Sequence, residues 1–171
     1  KLDKRLPKYL SLDDSRKLLE ATANEDDRNY KRNFAIITLF LNCGMRLSKL
    51  VQINLTDLKF DEMTLRLKGK GNKEGMCYLN KITQDVLQNY ISLRENSKVK
   101  EYIKNSKWLF ISYRSKQITK RQIDKIVKKA YRESGIDEKE YCVHILRHSF
   151  ATILYKSGVD IRMLQILLGH I

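Results

Sequence analysis

Phe34-Ala35-Ile36-Ile37-Thr38-Leu39-Phe40-Leu41-Asn42-Cys43-Gly44-Met45-Arg46 organises the residues on either side of it. Phe34, Ala35, Ile36, Ile37, Leu39, Phe40 and Leu41 surround a helical wheel almost completely, which predicts a central buried helix over about Asp27 to Gly44. Gly44 supplies the stop, because glycine takes the left-handed conformation that ends helices. An arginine placed directly after a buried helix, at a glycine turn, is held by rigid structure. Taken alone, it is also readable as an ordinary exposed arginine.

Upstream, Ser11 caps a first helix and Asp14 stands three residues on, as in a capping box, with Leu12, Leu18 and Leu19 as its apolar side. Downstream, Met63, Leu65 and Leu67 alternate with Thr64, Arg66 and Lys68, the period of a strand. Gly69-Lys70-Gly71-Asn72 is a turn by its glycines, and Gly75 to Leu79 returns as the antiparallel partner. A helix follows over about Thr83 to Asn96, then Trp108 to Ile111 as a short buried strand or a loop anchor. Thr119 caps a helix ending at Gly135, with Ile123, Ile126, Val127, Ala130 and Tyr131 on its buried face and Arg121, Lys125, Lys128 and Arg132 on another. Two last helices start near His144 and Asp160, separated by Gly158, and Leu146, Phe150 and Ile153 form the apolar side of the first. The expected fold class is α+β, mainly helical, with a small antiparallel β-sheet. With one proline, seven glycines and no low-complexity tract, residues 1–171 read as one domain without a flexible linker.

The net charge is +14, a balance that usually means a polyanionic partner. The excess is local: Lys98 to Arg132 holds 12 Lys or Arg against 2 Asp or Glu, a net +10. Like charges four apart on a helix repel unless a polyanion faces them. A merely solvated basic face stays open as the other reading. Cys43, Cys77 and Cys142 form neither a Cys-x-x-Cys pair nor a zinc spacing, and all three are expected as small buried apolar residues in a reducing, cytoplasmic setting. No apolar run approaches the roughly 20 residues of a membrane helix. The chain opens at Lys1 rather than Met, so its start is expected not to be the native one.

Three segments carry chemistry. Gly44-Met45-Arg46-Leu47-Ser48-Lys49-Leu50 holds the arginine already noted. Gly69-Lys70-Gly71-Asn72-Lys73-Glu74 puts lysines at a hairpin tip and lacks the P-loop pattern; alone it reads as a solvated turn. His144-Ile145-Leu146-Arg147-His148-Ser149-Phe150-Ala151-Thr152 places His144 and Arg147 three apart on one helix face, by themselves an ordinary surface pair.

In this order the three segments resemble the tyrosine recombinases, above all the Xer-type enzymes and phage-type integrases. The resemblance runs from Leu6-Pro7-Lys8-Tyr9-Leu10-Ser11 to Leu167-Leu168-Gly169-His170. It implies that Arg46 and Arg147 clamp the phosphate, that Lys70 protonates the leaving 5′ oxygen, and that His144 and His170 complete the basic set. His148 also matches the motif and is read as structural. The family's nucleophilic tyrosine lies a short way beyond the position of His170, so it is expected outside these residues, and the chain alone is expected to bind DNA without cutting it. Tyr141 and Tyr155 are read as packing residues. The implied reaction is site-specific cleavage and rejoining of double-stranded DNA through a 3′-phosphotyrosine, without metal or other cofactor. The parent enzyme is expected to carry an N-terminal DNA-clamping domain and to work as a tetramer on two duplexes, with this chain alone a monomer and no membrane partner. For DNA reading, Thr119-Lys120-Arg121-Gln122 resembles the start of the helix that enters the major groove. Arg121 and Gln122 have the bidentate geometry for guanine and adenine. Lys73, Lys116, Lys125, Lys128 and Lys129 are expected on the DNA, the last four on phosphates.

Physical chemistry supports the roles that the resemblance implies. Attack on a phosphodiester concentrates charge on the phosphoryl oxygens, and preorganised cations stabilise it. Paired arginines bind such oxygens bidentately, and a lysine on a turn is a suitable proton donor. Three positions depart from the family pattern: Lys49, where an acid usually stands, Val143, where a proline often precedes the histidine, and apolar Ile171. Lys49 keeps a second reading in play, a recombinase-like DNA-binding module without cleavage activity. An RNA- or ribosome-binding protein accounts for the charge alone.

Overall fold

The computed structural model describes residues 9–23, 29–69, 71, 74–96, 100–112, 116–139 and 141–156. The order is α1 (Leu12–Thr22), α2 (Tyr30–Cys43), a single turn α3 (Leu47–Leu50), a 3₁₀ turn over Leu55–Asp57, β1 (Leu58–Lys59), β2 (Thr64–Lys68), β3 (Glu74–Tyr78), α4 (Lys81–Glu95), a second single turn α5 (Glu101–Lys104), α6 (Lys120–Glu133) and α7 (Val143–Lys156). The expected class holds: mainly helical, with one three-stranded antiparallel sheet in the order β1-β2-β3. No helix among the described residues is long and apolar enough to cross a membrane.

The second helix is central, as its all-round apolar surface requires. Ala35 through Leu41 and Cys43 are buried, and α2 packs against α1, α4, α6 and α7. Each such Ile, Leu or Phe contributes about 1.5–3 kcal/mol by leaving water. Gly44 ends the helix at φ +61°, and its missing side chain is needed for a second reason. A Cβ there would lie 2.1 Å from Phe150 Cδ1, so α7 crosses α2 at contact distance.

Caps set the other boundaries. The Ser11 hydroxyl accepts from the Asp14 amide at 3.0 Å, and Asn80 caps α4 through the Thr83 amide at 2.8 Å. Thr119 and Gln122 make a reciprocal capping box at 3.1 and 2.9 Å. Ile123, Val127, Ala130 and Tyr131 are the buried face of α6, with Ile126 packed beside them. Asp57 is 1% exposed and carries a full negative charge's worth of partners. It accepts from the Asn54 amide at 2.9 Å and from Arg66 Nε and a terminal nitrogen at 3.1 and 3.0 Å. The carboxylate raises the Arg66 pKa, with Glu74 adding to it.

Several expectations fail for local reasons. Leu12 is 71% exposed, because the first residue after the cap faces away from the core. Met63 stands before β2 rather than in it, at φ +56° and 45% exposed; its carbonyl accepts from the Leu79 amide at 2.8 Å. Thr64 is buried in its stead, beside Leu65. Cys43 and Cys77 are buried, but Cys142 is exposed, directly before α7. Contact with the Cys77 thiol and burial push the Cys43 thiol pKa up. Trp108 to Ile111 is a loop anchor, bridged singly to Asn54 and Gln117, with Leu109 and Phe110 in the core. The start of the last helix, Gly158 and the turn around Asn72 lie outside the described residues.

Candidate active site and nucleic-acid interface

The site grows from the junction of α2, α3 and α7. Arg46 is the residue before α3, extended at φ −77°, ψ 147°, and its carbonyl accepts from the Lys49 and Leu50 amides at 3.0 and 3.1 Å. Its backbone is therefore pinned while its side chain is exposed. Arg147 reaches the same junction from α7 and donates to the Gly44 carbonyl at 2.9 Å, across 103 residues of chain. That carbonyl is available because Gly44 leaves the helix in the left-handed region.

Arg147 is half-buried. Burial holds its pKa below the ordinary guanidinium value, and the Arg46 charge lowers it further. Arg147 stays protonated at neutral pH, because arginine does not give up its proton in that range. Burial and like charge both work against its charged form, and an anion at the junction would offset both. His144 lies one turn before Arg147 on α7 and is exposed. His148, read from sequence as structural, is exposed too. Ser149 anchors the helix: its hydroxyl accepts from the Leu10 amide at 2.7 Å and donates to the Ile145 carbonyl at 2.6 Å.

The structure thus brings Arg46 and Arg147 to one junction, with His144 exposed one turn before Arg147 on α7. Lys70, Lys73 and His170 lie outside the described residues. Tyr141 packs against Tyr131 with ring centroids 6.1 Å apart. Sequence reasoning took Lys49 only as a departure. In the fold its ammonium donates to the Lys68 carbonyl at the end of β2. No local signal could have found that contact, since it exists only once α3 and β2 are packed.

The basic helix α6 divides in two. Lys116, Lys120, Arg121 and Lys125 are exposed around its N-terminal half. Toward the other end, Lys128 pairs with Asp124 at 3.1 Å, Lys129 with Glu133 at 3.8 Å and Arg132 with Glu138 at 2.8 Å. Gln122 Oε1 accepts from the Thr119 amide, so while the cap stays closed the cap sets where its amide can point toward a base edge. Among the described residues, no three His, Cys, Asp or Glu side chains gather to hold a metal ion.

The chain is similar to known proteins over nearly its whole length. The chain is 46% identical to the tyrosine recombinase XerC of Caldanaerobacter subterraneus over 99% of its own length and 46% of that protein. It is 37% identical to the XerC of Thermodesulfovibrio yellowstonii over 99% of its length and 56% of that protein. It therefore spans about half the length of the curated relatives it matches. The crystal structure of XerA recombinase superposes with a TM-score of 0.83 at 28% identity, over 97% of this chain and 57% of that one. XerH bound to its difH substrate superposes at 0.82 and 27% identity, over 97% and 48%. Residues 8–171 match the model of the phage integrase family, and with that match, these relatives and the shared fold, the chain belongs to the phage integrase family.

Proposed function

We propose that residues 1–171 are the DNA breaking-and-rejoining domain of a site-specific tyrosine recombinase, which in the whole protein works beside a separate DNA-clamping domain. The observation that carries the reading is the Arg46–Arg147 junction, where a partly buried guanidinium bonded to Gly44 feels the like charge of Arg46. A scissile phosphate seated there relieves the repulsion, and its non-bridging oxygens gain charge-assisted hydrogen bonds that strengthen in the transition state. His144, one turn away on the same helix, adds a further donor.

The reaction is a transesterification. A tyrosine oxygen attacks phosphorus, the P–O5′ bond breaks, and the 3′ side of the strand becomes a phosphotyrosine ester. Lys70 delivers a proton to the leaving 5′ oxygen, and His170 completes the set of donors on the phosphate. Because the ester keeps the bond energy, rejoining needs no ATP. Lys73, Lys116, Arg121, Gln122, Lys125, Lys128 and Lys129 are assigned to the duplex, with Arg121 and Gln122 at base edges. A tetramer on two duplexes is the working form, and the cytoplasm the working compartment. The substrate-bound structure of the XerH relative supports duplex DNA as the partner.

The test is covalent trapping. The chain, extended to the length of its relatives, is mixed with a pool of duplexes that trap phosphotyrosine, with Arg46→Ala as control. A protein–DNA adduct that disappears in Arg46→Ala is the expected result. Salt-sensitive duplex binding with no adduct would instead favour the DNA-binding module, the reading to which Lys49, in place of an acid, lends weight.

A further inference from the structure

Lys49 is half-buried, and its side chain joins the Arg46 turn to the sheet. Its own backbone is part of that turn, with its amide on the Arg46 carbonyl at 3.0 Å. Its ammonium donates to the carbonyl of Lys68, the last residue of β2, paired with Glu74 at the start of β3. Strand β2 ends at Lys68, two residues before Lys70 in sequence, and the described chain continues to Gly69. On the other side, Arg147 holds the Gly44 carbonyl at 2.9 Å. The Gly44–Lys49 segment is therefore tied twice, to α7 through Gly44 and to β2 through Lys49. An ionised acid at position 49 has no proton to donate to the Lys68 carbonyl oxygen and would meet it with like charge, so the contact needs a donor side chain such as Lys49.

We infer that Lys49 is a positioning residue: its ammonium fixes the end of β2 against the Arg46 turn, so that the chain leading to Lys70 departs from a set point relative to the two arginines. This rests on the reading of the chain as a recombinase. The ammonium touches neither phosphate nor leaving group and acts through Lys68. Misplacing a proton donor by about 1 Å costs on the order of 10²-fold in rate.

The experiment uses the full-length protein and two versions of its cleavable duplex, one with the normal bridging 5′ oxygen and one with sulfur in its place. A thiolate leaves without a proton, because a thiol's pKa of about 8.5 is far below that of an alcohol. Lys49→Met is expected to slow adduct formation about 10²-fold on the oxygen duplex and less than about threefold on the sulfur duplex. Lys49→Arg, which keeps a donor of similar reach, is expected to restore most of the rate. Equal losses on both duplexes, or no loss on either, would overturn the inference. Amide exchange gives a second readout that needs no cleavage: Lys49→Met is expected to speed exchange at Leu65–Lys68 and leave α4 unchanged. Unchanged exchange in β2 would also overturn it. If the unmutated protein forms no adduct on any duplex, the recombinase reading fails, and exchange alone decides whether the tie exists.

Discussion

Arg94 and Arg147 both donate to backbone carbonyls, and their surroundings separate structure from function. Arg94, 5% exposed at the end of α4, donates one nitrogen to the Trp108 and Leu109 carbonyls at 2.6 and 3.0 Å. Its other terminal nitrogen serves the Ile103 and Ser106 carbonyls at 3.1 and 3.0 Å, closing the α5 turn onto α4. Arg147 gives a donor to Gly44 but stands half-exposed beside Arg46. Burial lowers the pKa of both arginines. Around Arg94 the tyrosine Tyr90 and Glu95 act against that, whereas at Arg147 the neighbouring charge adds to it. A buried cation whose two terminal nitrogens hold four of the chain's own carbonyls is a staple. A cation set against a like charge, as Arg147 is against Arg46, is an arrangement that an anion would relieve.

That contrast is open to attack by mutation. Removing Arg147 with Arg147→Ala is expected to cut adduct formation by about 10³-fold, roughly 4 kcal/mol of transition-state stabilisation. The melting point should change little, since relief of repulsion from Arg46 offsets the lost Gly44 bond. Arg94→Met is expected to do the reverse: a loss of about 3 kcal/mol in urea unfolding, because four carbonyls lose their donor, with the rate per folded molecule preserved. An equal loss of rate in folded Arg94→Met would collapse the distinction.

Gly44→Ala sharpens it. The added methyl meets the Phe150 ring in a left-handed backbone position, and a destabilisation of about 2 kcal/mol is expected in the same unfolding assay. Adduct formation should fall as well, since the Gly44 carbonyl orients Arg147. The smallest effects belong to α6. Lys125→Ala should lower the slope of log affinity for duplex DNA against log salt by about one, and Lys128→Ala and Lys129→Ala by less, since each must first give up its acid to reach a phosphate. Equal slopes for all three would show that the ion pairs open on DNA.

Much of this was legible in local chemistry. The all-round apolar surface of residues 34–41 placed α2 at the centre, and Ser11, Thr119 and Gly44 set helix ends through interactions that span at most four residues. Arg46, His144 and Arg147 were picked out by motif. Exposure was harder to read. Leu12 and Met63 fit an apolar period yet face solvent, because a cap and a turn redirect the chain at those points. Cys142 is exposed because it lies just ahead of α7, and a small apolar residue carries no signal for that. The contacts that make the junction work were invisible. Arg147 meets Gly44 across 103 residues, and Lys49 meets the Lys68 carbonyl across 19. Periodicity and caps are written in neighbouring residues and need no partner from elsewhere. A side chain bonded to a distant backbone carbonyl leaves no trace in sequence, because every residue offers the same carbonyl and only the packing of helix on helix and turn on strand selects one.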